Sequence, residues 1–316
     1  MRRIGVTGGA GFIGSNLCKK LISLDFEVRI LDDFSTGLLD NLAGYDFDVR
    51  RGSICDRRAI SDFFKDLDFV FHLAARGSVP RSISNPRATF EVNVAGSLEV
   101  LEAVREQEIP SVFISSSSVY GDSNYSPKVE TKIGKPLSPY AASKACMERM
   151  VEAYRNSFDL DIMTFRLFNV FGPFQRFDHE YSAVIPKWIN QALRGQNINI
   201  FGDGNITRDF TYVEEVTNVL SQSLFKTHLF KEMEVINLAL GREINLNLIA
   251  KMTKDFFPHV EIHHGPKRTS DIMNSTSCPK KLFEYFPNIQ KEHFHESFSK
   301  TVGWITSTVN NIAPHS

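Results

Sequence analysis

Cysteine is scarce in this chain. Its 316 residues include four, Cys18, Cys55, Cys146 and Cys278, set far apart and without a C-x-x-C pair. A disulfide framework is therefore not expected, and a chain of this length builds a sizeable core without one. Neither sign of charge is in excess: 36 Lys and Arg stand against 37 Asp and Glu, a formal net charge of −1. With no basic stripe or acidic tail, nucleic acid and anionic membranes are not expected partners. No run approaches the ~20 apolar residues that cross a bilayer, and no fixed-period repeat or low-complexity tract is present. Met1, Arg2 and Arg3 lead into a short apolar run that ends in glycines, which is not the pattern of a secretory leader. A soluble protein in a reduced, cytoplasmic setting is expected. The nine histidines suggest no metal, since His263-His264 and His293-Phe294-His295 lack a third ligand of evident spacing.

What is present is a folded domain's composition, with 42% hydrophobic and 23% charged residues. The first half alternates short β-branched runs with helical patterns, the sign of βαβ units and a doubly wound parallel sheet. Strands are expected at Arg3 to Thr7, Glu27 to Leu31, Phe47 to Gly52, Phe69 to Leu73, Ser111 to Ser115 and Asp161 to Arg166. Val94, Leu98, Leu101 and Val104 recur at helical spacing, as do Met147, Met150, Val151 and Tyr154, each set reading as one buried stripe. Beyond about residue 170 the alternation weakens. Residues 1–170 are expected to form a Rossmann-type domain, and 171–316 mainly a smaller α/β lobe, with some later segments returning to the sheet and a cleft between the two.

The first strand runs into Gly8-Gly9-Ala10-Gly11-Phe12-Ile13-Gly14 and then a helical pattern. Glycines at 8, 11 and 14 allow a tight turn, close approach to a pyrophosphate and close helix packing, with the helix N-terminus facing the anion. Asp32, 18 residues beyond Gly14 at the end of the second strand, is placed to bond both ribose hydroxyls. Asp32 and Asp33 repel a 2′-phosphate, so the dinucleotide expected is NAD.

After the fifth strand comes Ser115-Ser116-Ser117-Ser118-Val119-Tyr120-Gly121, and 24 residues beyond Ser116 lies Tyr140, followed by Ala141-Ala142-Ser143-Lys144. Ser138 and Pro139 suit the N-cap and first position of a helix, which sets Tyr140 and Lys144 on one face. A phenol of pKa about 10 is a poor base at neutral pH, and nearby positive charge favours the phenolate. An isolated Y-x-x-x-K is as readily a core tyrosine and a solvated lysine; downstream of a dinucleotide turn the catalytic reading is stronger, with Ser116, Tyr140 and Lys144 as the candidates. His72, ending a buried strand, reads as a core histidine, and Tyr120 as wall.

With these motifs, the chain resembles the extended short-chain dehydrogenase/reductases of the nucleotide-sugar epimerase and dehydratase group. The resemblance rests on T-G-G-A-G-F-I-G at 7 to 14, His72-Leu73-Ala74-Ala75, Asn93, the serine run, Tyr140/Lys144, Phe168-Asn169 and Arg208-Asp209-Phe210, and covers residues 7 to about 275. It implies that Gly8, Gly11, Phe12, Ile13, Gly14, Asp32 and Asn93 hold NAD, Ile54 and Asp56 touch its adenine, Ala74 and Ala75 lie by its diphosphate and ribose, and Lys144 meets the nicotinamide ribose. Asn169, Phe201, Arg208 and Arg268 would hold the substrate's nucleoside diphosphate. Ser78, Ser116, Ser117, Ser118, Val184, Asp271 and Ser275 would face the sugar. A homodimer through the helices that begin near Thr89 and Tyr140 is also implied, unless the sheet consumes their apolar stripes.

In this group the shared first step oxidises C4 of the sugar. The 4,6-dehydratases carry an Asp-Glu pair after the Ser/Thr, and the uronate decarboxylases a Glu; here those places are Ser117 and Ser118. The resemblance therefore implies a 4-epimerase, most similar to bacterial UDP-N-acetylglucosamine 4-epimerases and related N-acetylhexosamine or uronate epimerases. Ser275, a small residue where a bulky tyrosine is associated with exclusion of N-acetyl groups, fits an N-acetylated sugar. Three positions depart from the pattern: Arg76 replaces an apolar residue, Leu167 a tyrosine and Met273 an arginine. Arg76 either accepts a substrate carboxylate, which keeps a uronate open, or faces solvent.

Overall fold

The computed structural model describes residues 2–178, 182–266 and 274–312. Six strands form where β-branched runs were expected, each end within a residue: β1 (Arg3–Thr7), β2 (Glu27–Asp32), β3 (Asp48–Arg51), β4 (Phe69–His72), β5 (Ser111–Ser116) and β6 (Ile162–Leu167). A seventh that the sequence reading did not identify, β7 (Val235–Leu238), pairs with β6. The order is β7-β6-β5-β4-β1-β2-β3, and every neighbouring pair is parallel. This is a Rossmann-type doubly wound sheet, whose order reverses between β1 and β4.

Alternation along the strands builds the two faces. Ile4, Val6, Phe69, Phe71, Val112, Ile114, Met163 and Phe165 join one core, while Leu31, Val70, Phe113 and Ile162 join the other. Successive strand side chains point to opposite faces, so a strand covered by helices on both sides has no polar face. Helices α1 (Phe12–Ile22) and α5 (Val213–Ser223) supply the first core, and α2 (Arg57–Phe64), α3 (Ser97–Gln107) and α4 (Pro139–Phe158) the second. Beyond the sheet, Ile198–Phe201 pairs with Ile262–Gly265, and Thr207–Arg208 lies between Ile244–Asn245 and Asn274–Ser275. Among the described residues no helix is long and apolar enough to cross a membrane.

The stripe expected on α3 holds in part. Leu101 and Val104 are fully buried, as is Val100, whereas Leu98 is 37% exposed. The π-helical stretch Glu91–Gly96 precedes α3, and its wider turns set Val94 out of phase with the residues that follow. Asn93 and Ser97 face inward. Ser97 Oγ lies 2.9 Å from His72 Nε2, and Thr7 Oγ1 2.8 Å from His72 Nδ1, so His72 is the satisfied core histidine expected.

Burial pulls the His72 pKa from 6.5 down to about 3, helped by the Lys144 charge. Its unfolded form takes the proton first, so the stability it contributes is complete above 6.5 and lost as pH falls toward 3. By about pH 4 that loss reaches about 3 kcal/mol. Urea unfolding of the protein and of His72→Gln at neutral pH and at about pH 4 should show a smaller acid loss in the variant by roughly that amount. Equal losses would assign acid sensitivity elsewhere.

Candidate active site

The turn after β1 is built around two glycines. Gly8 has φ 72°, and a Cβ there would lie 2.7 Å from the Ala74 nitrogen; on Gly14 it would lie 2.1 Å from the Gly8 oxygen. Gly11 is the N-cap of α1 and leaves no side chain over its first N–H groups. Asp32 is buried, its Oδ2 accepting from Ala10 N at 2.9 Å and its Oδ1 from Phe34 N at 2.8 Å. Burial raises its pKa and the two N–H groups oppose that. Each oxygen keeps capacity for a further donor, as a ribose diol requires.

Ser116 ends β5 beside Leu167 of β6, and α4 starts with Ser138 as N-cap, its Oγ 3.1 Å from Ala141 N, and Pro139 in the first turn. Burial raises the Tyr140 pKa, and a hydrogen bond with Ser116 lowers it. Lys144 lies one turn on, donating from Nζ to the Ile114 carbonyl at 2.8 Å. Burial drops its pKa to about 8 while Glu148 pulls it upward.

These residues share one cavity of about 1000 Å³, at the C-terminal ends of β1, β2, β4, β5 and β6. Of the expected site residues it contains Gly8, Gly11, Phe12, Ile13, Gly14, Asp32, Ile54, Ala74, Ala75, Ser78, Ser116, Tyr140, Lys144, Asn169, Val184, Phe201 and Arg208. Arg76 and Leu167 line it too. Five expected residues do not. Asp56 is exposed and caps α2, accepting from Arg58 N at 2.9 Å. Asn93 is fully buried behind the wall: its Oδ1 accepts from Arg76 N, and its Nδ2 donates to the Arg76 carbonyl and to Ser143 Oγ. Ser117 and Ser118 turn away in the 3-10 helix Ser117–Tyr120, where Ser118 bonds Ser116 Oγ through both N and Oγ. Ser275 pairs with Arg208 in the small sheet without lining the cavity. Arg268, Asp271 and Met273 lie outside the described residues.

Among the described residues, six cationic side chains line the cavity, Arg76, Arg81, Lys144, Arg176, Lys187 and Arg208, against two carboxylates, Asp32 and Asp33. That excess of positive charge suits phosphate-rich ligands. Arg81, Gln175, Arg176 and Lys187 were not among the expected site residues, although Arg81 and Lys187 fall in segments 77–82 and 184–188 that share in the resemblance; the polar-aromatic composition of 171–181 was the available signal for the middle two. Asp209 points the other way, accepting from Ser277, Gly241 and Arg242 and so bracing the Arg208 segment. Three cavity residues, Arg76 (Nε), Ser115 (Oγ) and Gln175 (Oε1), have buried polar atoms without a partner among the described residues. With the glycine cradle and Asp32, they fit a large polar cofactor. No group of three or more His, Cys, Asp or Glu among the described residues is placed to hold a metal.

Residues 4–239 match the model of the NAD dependent epimerase/dehydratase family. The chain belongs to that family. It is 35% identical over 256 residues to a putative UDP-glucose 4-epimerase of Methanocaldococcus jannaschii, covering 79% of this chain and 80% of that one. A solved UDP-N-acetylglucosamine 4-epimerase from Methanobrevibacter ruminantium, in complex with UDP-N-acetylmuramic acid, superposes with a TM-score of 0.88 at 34% identity over 97% of this chain and 99% of its own. A UDP-glucuronic acid 4-epimerase from Bacillus cereus, in complex with UDP-glucuronic acid and NAD, gives 0.87 at 27% identity over 97% and 99%. This member of the epimerase/dehydratase family is accordingly an NAD-dependent enzyme of the extended short-chain dehydrogenase/reductase type, acting on nucleotide sugars.

Proposed function

We propose that the enzyme is a UDP-sugar 4-epimerase whose substrates are UDP-N-acetylglucosamine and UDP-N-acetylgalactosamine. The observation that carries the 4-epimerase reading is the placement of acids, while the N-acetylated sugar rests on the likeness to the Methanobrevibacter ruminantium UDP-N-acetylglucosamine 4-epimerase, since Ser275 does not line the cavity. Among the described residues lining the cavity, the only carboxylates are Asp32 and Asp33, at the end of β2, and neither adjoins Ser116 and Tyr140 in the chain. Elimination or decarboxylation needs an acid or base beyond the tyrosine, and serines occupy its usual place. NAD, when bound, supplies the reversible acceptor for the C4 hydrogen. Tyr140 takes the O4 proton as a phenolate, and Ser116 holds the same oxygen by a hydrogen bond. Lys144, fixed to the Ile114 carbonyl, would hold the nicotinamide ribose of bound NAD. After the 4-keto sugar turns over, Tyr140 returns the proton.

Gly8, Gly11, Gly14 and Asp32 hold the cofactor in this reading, and Asn169, Phe201, Arg208 and Arg268 the nucleoside diphosphate. Residues 171–316 mainly form the sugar-nucleotide lobe, with α5 and β7 returning to the 1–170 domain. The protein works as a cytoplasmic homodimer, and because the sheet core takes up the α3 and α4 stripes around Leu101 and Met147, a contact through these helices would use their outer faces.

A second reading rests on Arg76, whose partnerless Nε at the cavity suits a carboxylate and hence a UDP-uronate. The test is incubation with UDP-hexoses, UDP-N-acetylhexosamines and their uronates, with products identified by NMR, on the wild type and Arg76→Leu. Loss of a charged hydrogen bond costs about 10- to 150-fold in kcat/KM. The first reading expects 4-epimerised N-acetylhexosamines from both proteins. Turnover confined to uronates, and lost in the variant, would replace it with the second.

A further inference from the structure

Outside the cavity, one guanidinium gathers the elements that carry Ser116 and Tyr140. Arg166 is on β6, where its backbone stands opposite Ser115, the residue before Ser116. Its Nε and Nη2 form a fork to Glu148 at 2.9 and 2.7 Å, and Glu148 lies on α4, two turns beyond Tyr140. Its Nη1 donates to the Tyr120 hydroxyl at 3.1 Å and to the Glu130 carbonyl at 2.8 Å. Tyr120 closes the 3-10 helix that starts immediately after Ser116, and its own proton goes to Asn237 Oδ1 at 2.6 Å. Arg166, Glu148, Tyr120 and Asn237 are all buried, and none lines the large cavity.

We propose that Arg166 is a positioning residue for the reaction, setting the separation of Ser116 and Tyr140 by clamping the segment after Ser116 to the helix that bears Tyr140. The proposal rests on the assignment of Ser116 and Tyr140 as the proton-handling pair. A buried fork between rigid elements fixes geometry in both directions, and Tyr120 serves as the arm that reaches the serine loop. Reaction rate is steep in such geometry: displacement of about 1 Å costs on the order of 100-fold. Binding of nucleotide sugar and NAD, which depends on other side chains, is left untouched.

The deciding variant is Tyr120→Phe, which keeps the ring and removes the hydroxyl that receives Arg166 and donates to Asn237. It should lower kcat about 10-fold, an estimate for a partial displacement, with KM, retained NAD and melting temperature close to wild type. Arg166→Lys keeps a charge for Glu148 but cannot hold three partners, and should lower kcat at least as far. Because both act through one contact, the double variant should match Arg166→Lys alone. If Arg166→Lys does not fold, Glu148→Gln takes its place in the cycle, since it keeps the acceptor's shape and weakens the fork; because it also removes the charge that raises the Lys144 pKa, kcat is compared at the plateau of each protein's own pH profile. Tyr140→Phe and UDP-N-acetylglucosamine turnover, measured in parallel, separate failure of this clamp from failure of the assigned chemistry. Unchanged kcat in Tyr120→Phe, loss expressed as raised KM or lost NAD, or multiplying effects in the double variant would overturn the proposal.

Discussion

Tyr140→Phe is expected to reduce turnover by at least 10² to 10⁴, the usual contribution of a general acid or base. The ring continues to fill its place at the start of α4, and the α4 stripe around Met147 and Val151 is untouched. Only the hydroxyl bonded to Ser116 is removed. Melting temperature and NAD content should therefore stay near those of the wild type. The raised phenol pKa adds a sign to the expectation: the wild-type rate should climb as pH rises through neutrality, and the climb should end near pH 8, where Lys144 loses the charge that favours the phenolate. Assays of both proteins across the neutral to alkaline range, with melting curves on the same samples, check this. Near-normal turnover in the variant would remove Tyr140 from the chemistry.

The second large effect is expected from Gly14→Ala. The added methyl would meet the Gly8 oxygen at 2.1 Å and the Gly9 Cα at 2.8 Å, both backbone atoms of the turn. No side-chain rotation relieves such a contact, so the turn itself must move. Overfilling of this kind costs ~1 to 3 kcal/mol, about 5- to 150-fold in affinity if it falls on the bound state. NAD extracted from the purified variant should fall accordingly, and turnover should recover in part with excess NAD. Full NAD content would show that the turn tolerates a side chain and that the dinucleotide is held elsewhere. Full recovery of activity at low NAD would say the same.

The sheet was legible because five of its first six strands are largely apolar or β-branched runs between turn signals, the exception being the edge strand β3, whose one apolar residue is Val49. Val235–Leu238 was not, since its four residues follow a short helix in a region without alternation. On α3, periodicity located the helix and the buried Leu101 and Val104 but also took in Leu98, which faces outward, and the π-helical stretch that holds Val94 leaves no signature in the spacing of apolar residues. Motif residues were legible by type more than by direction. Gly8, Gly14, Asp32 and Tyr140 face the cavity as their chemistry required. Asn93 and Asp56 point into backbone contacts instead, and only coordinates distinguish a side chain that caps a helix or braces a loop from one that meets a ligand. The Arg166 clamp joins residues from four separate segments, from Tyr120 to Asn237, so no local pattern could announce it.

The central claim is that the sugar is oxidised and reduced within one cycle at Tyr140. The most direct measurement is to mix purified protein with excess UDP-N-acetylglucosamine, add no NAD, and follow the sugar by NMR and free NADH by absorbance. The account predicts accumulation of UDP-N-acetylgalactosamine to a constant ratio over many turnovers, with no NADH in solution. One NADH released per sugar consumed, or a 4-keto or dehydrated sugar as the end product, would contradict it.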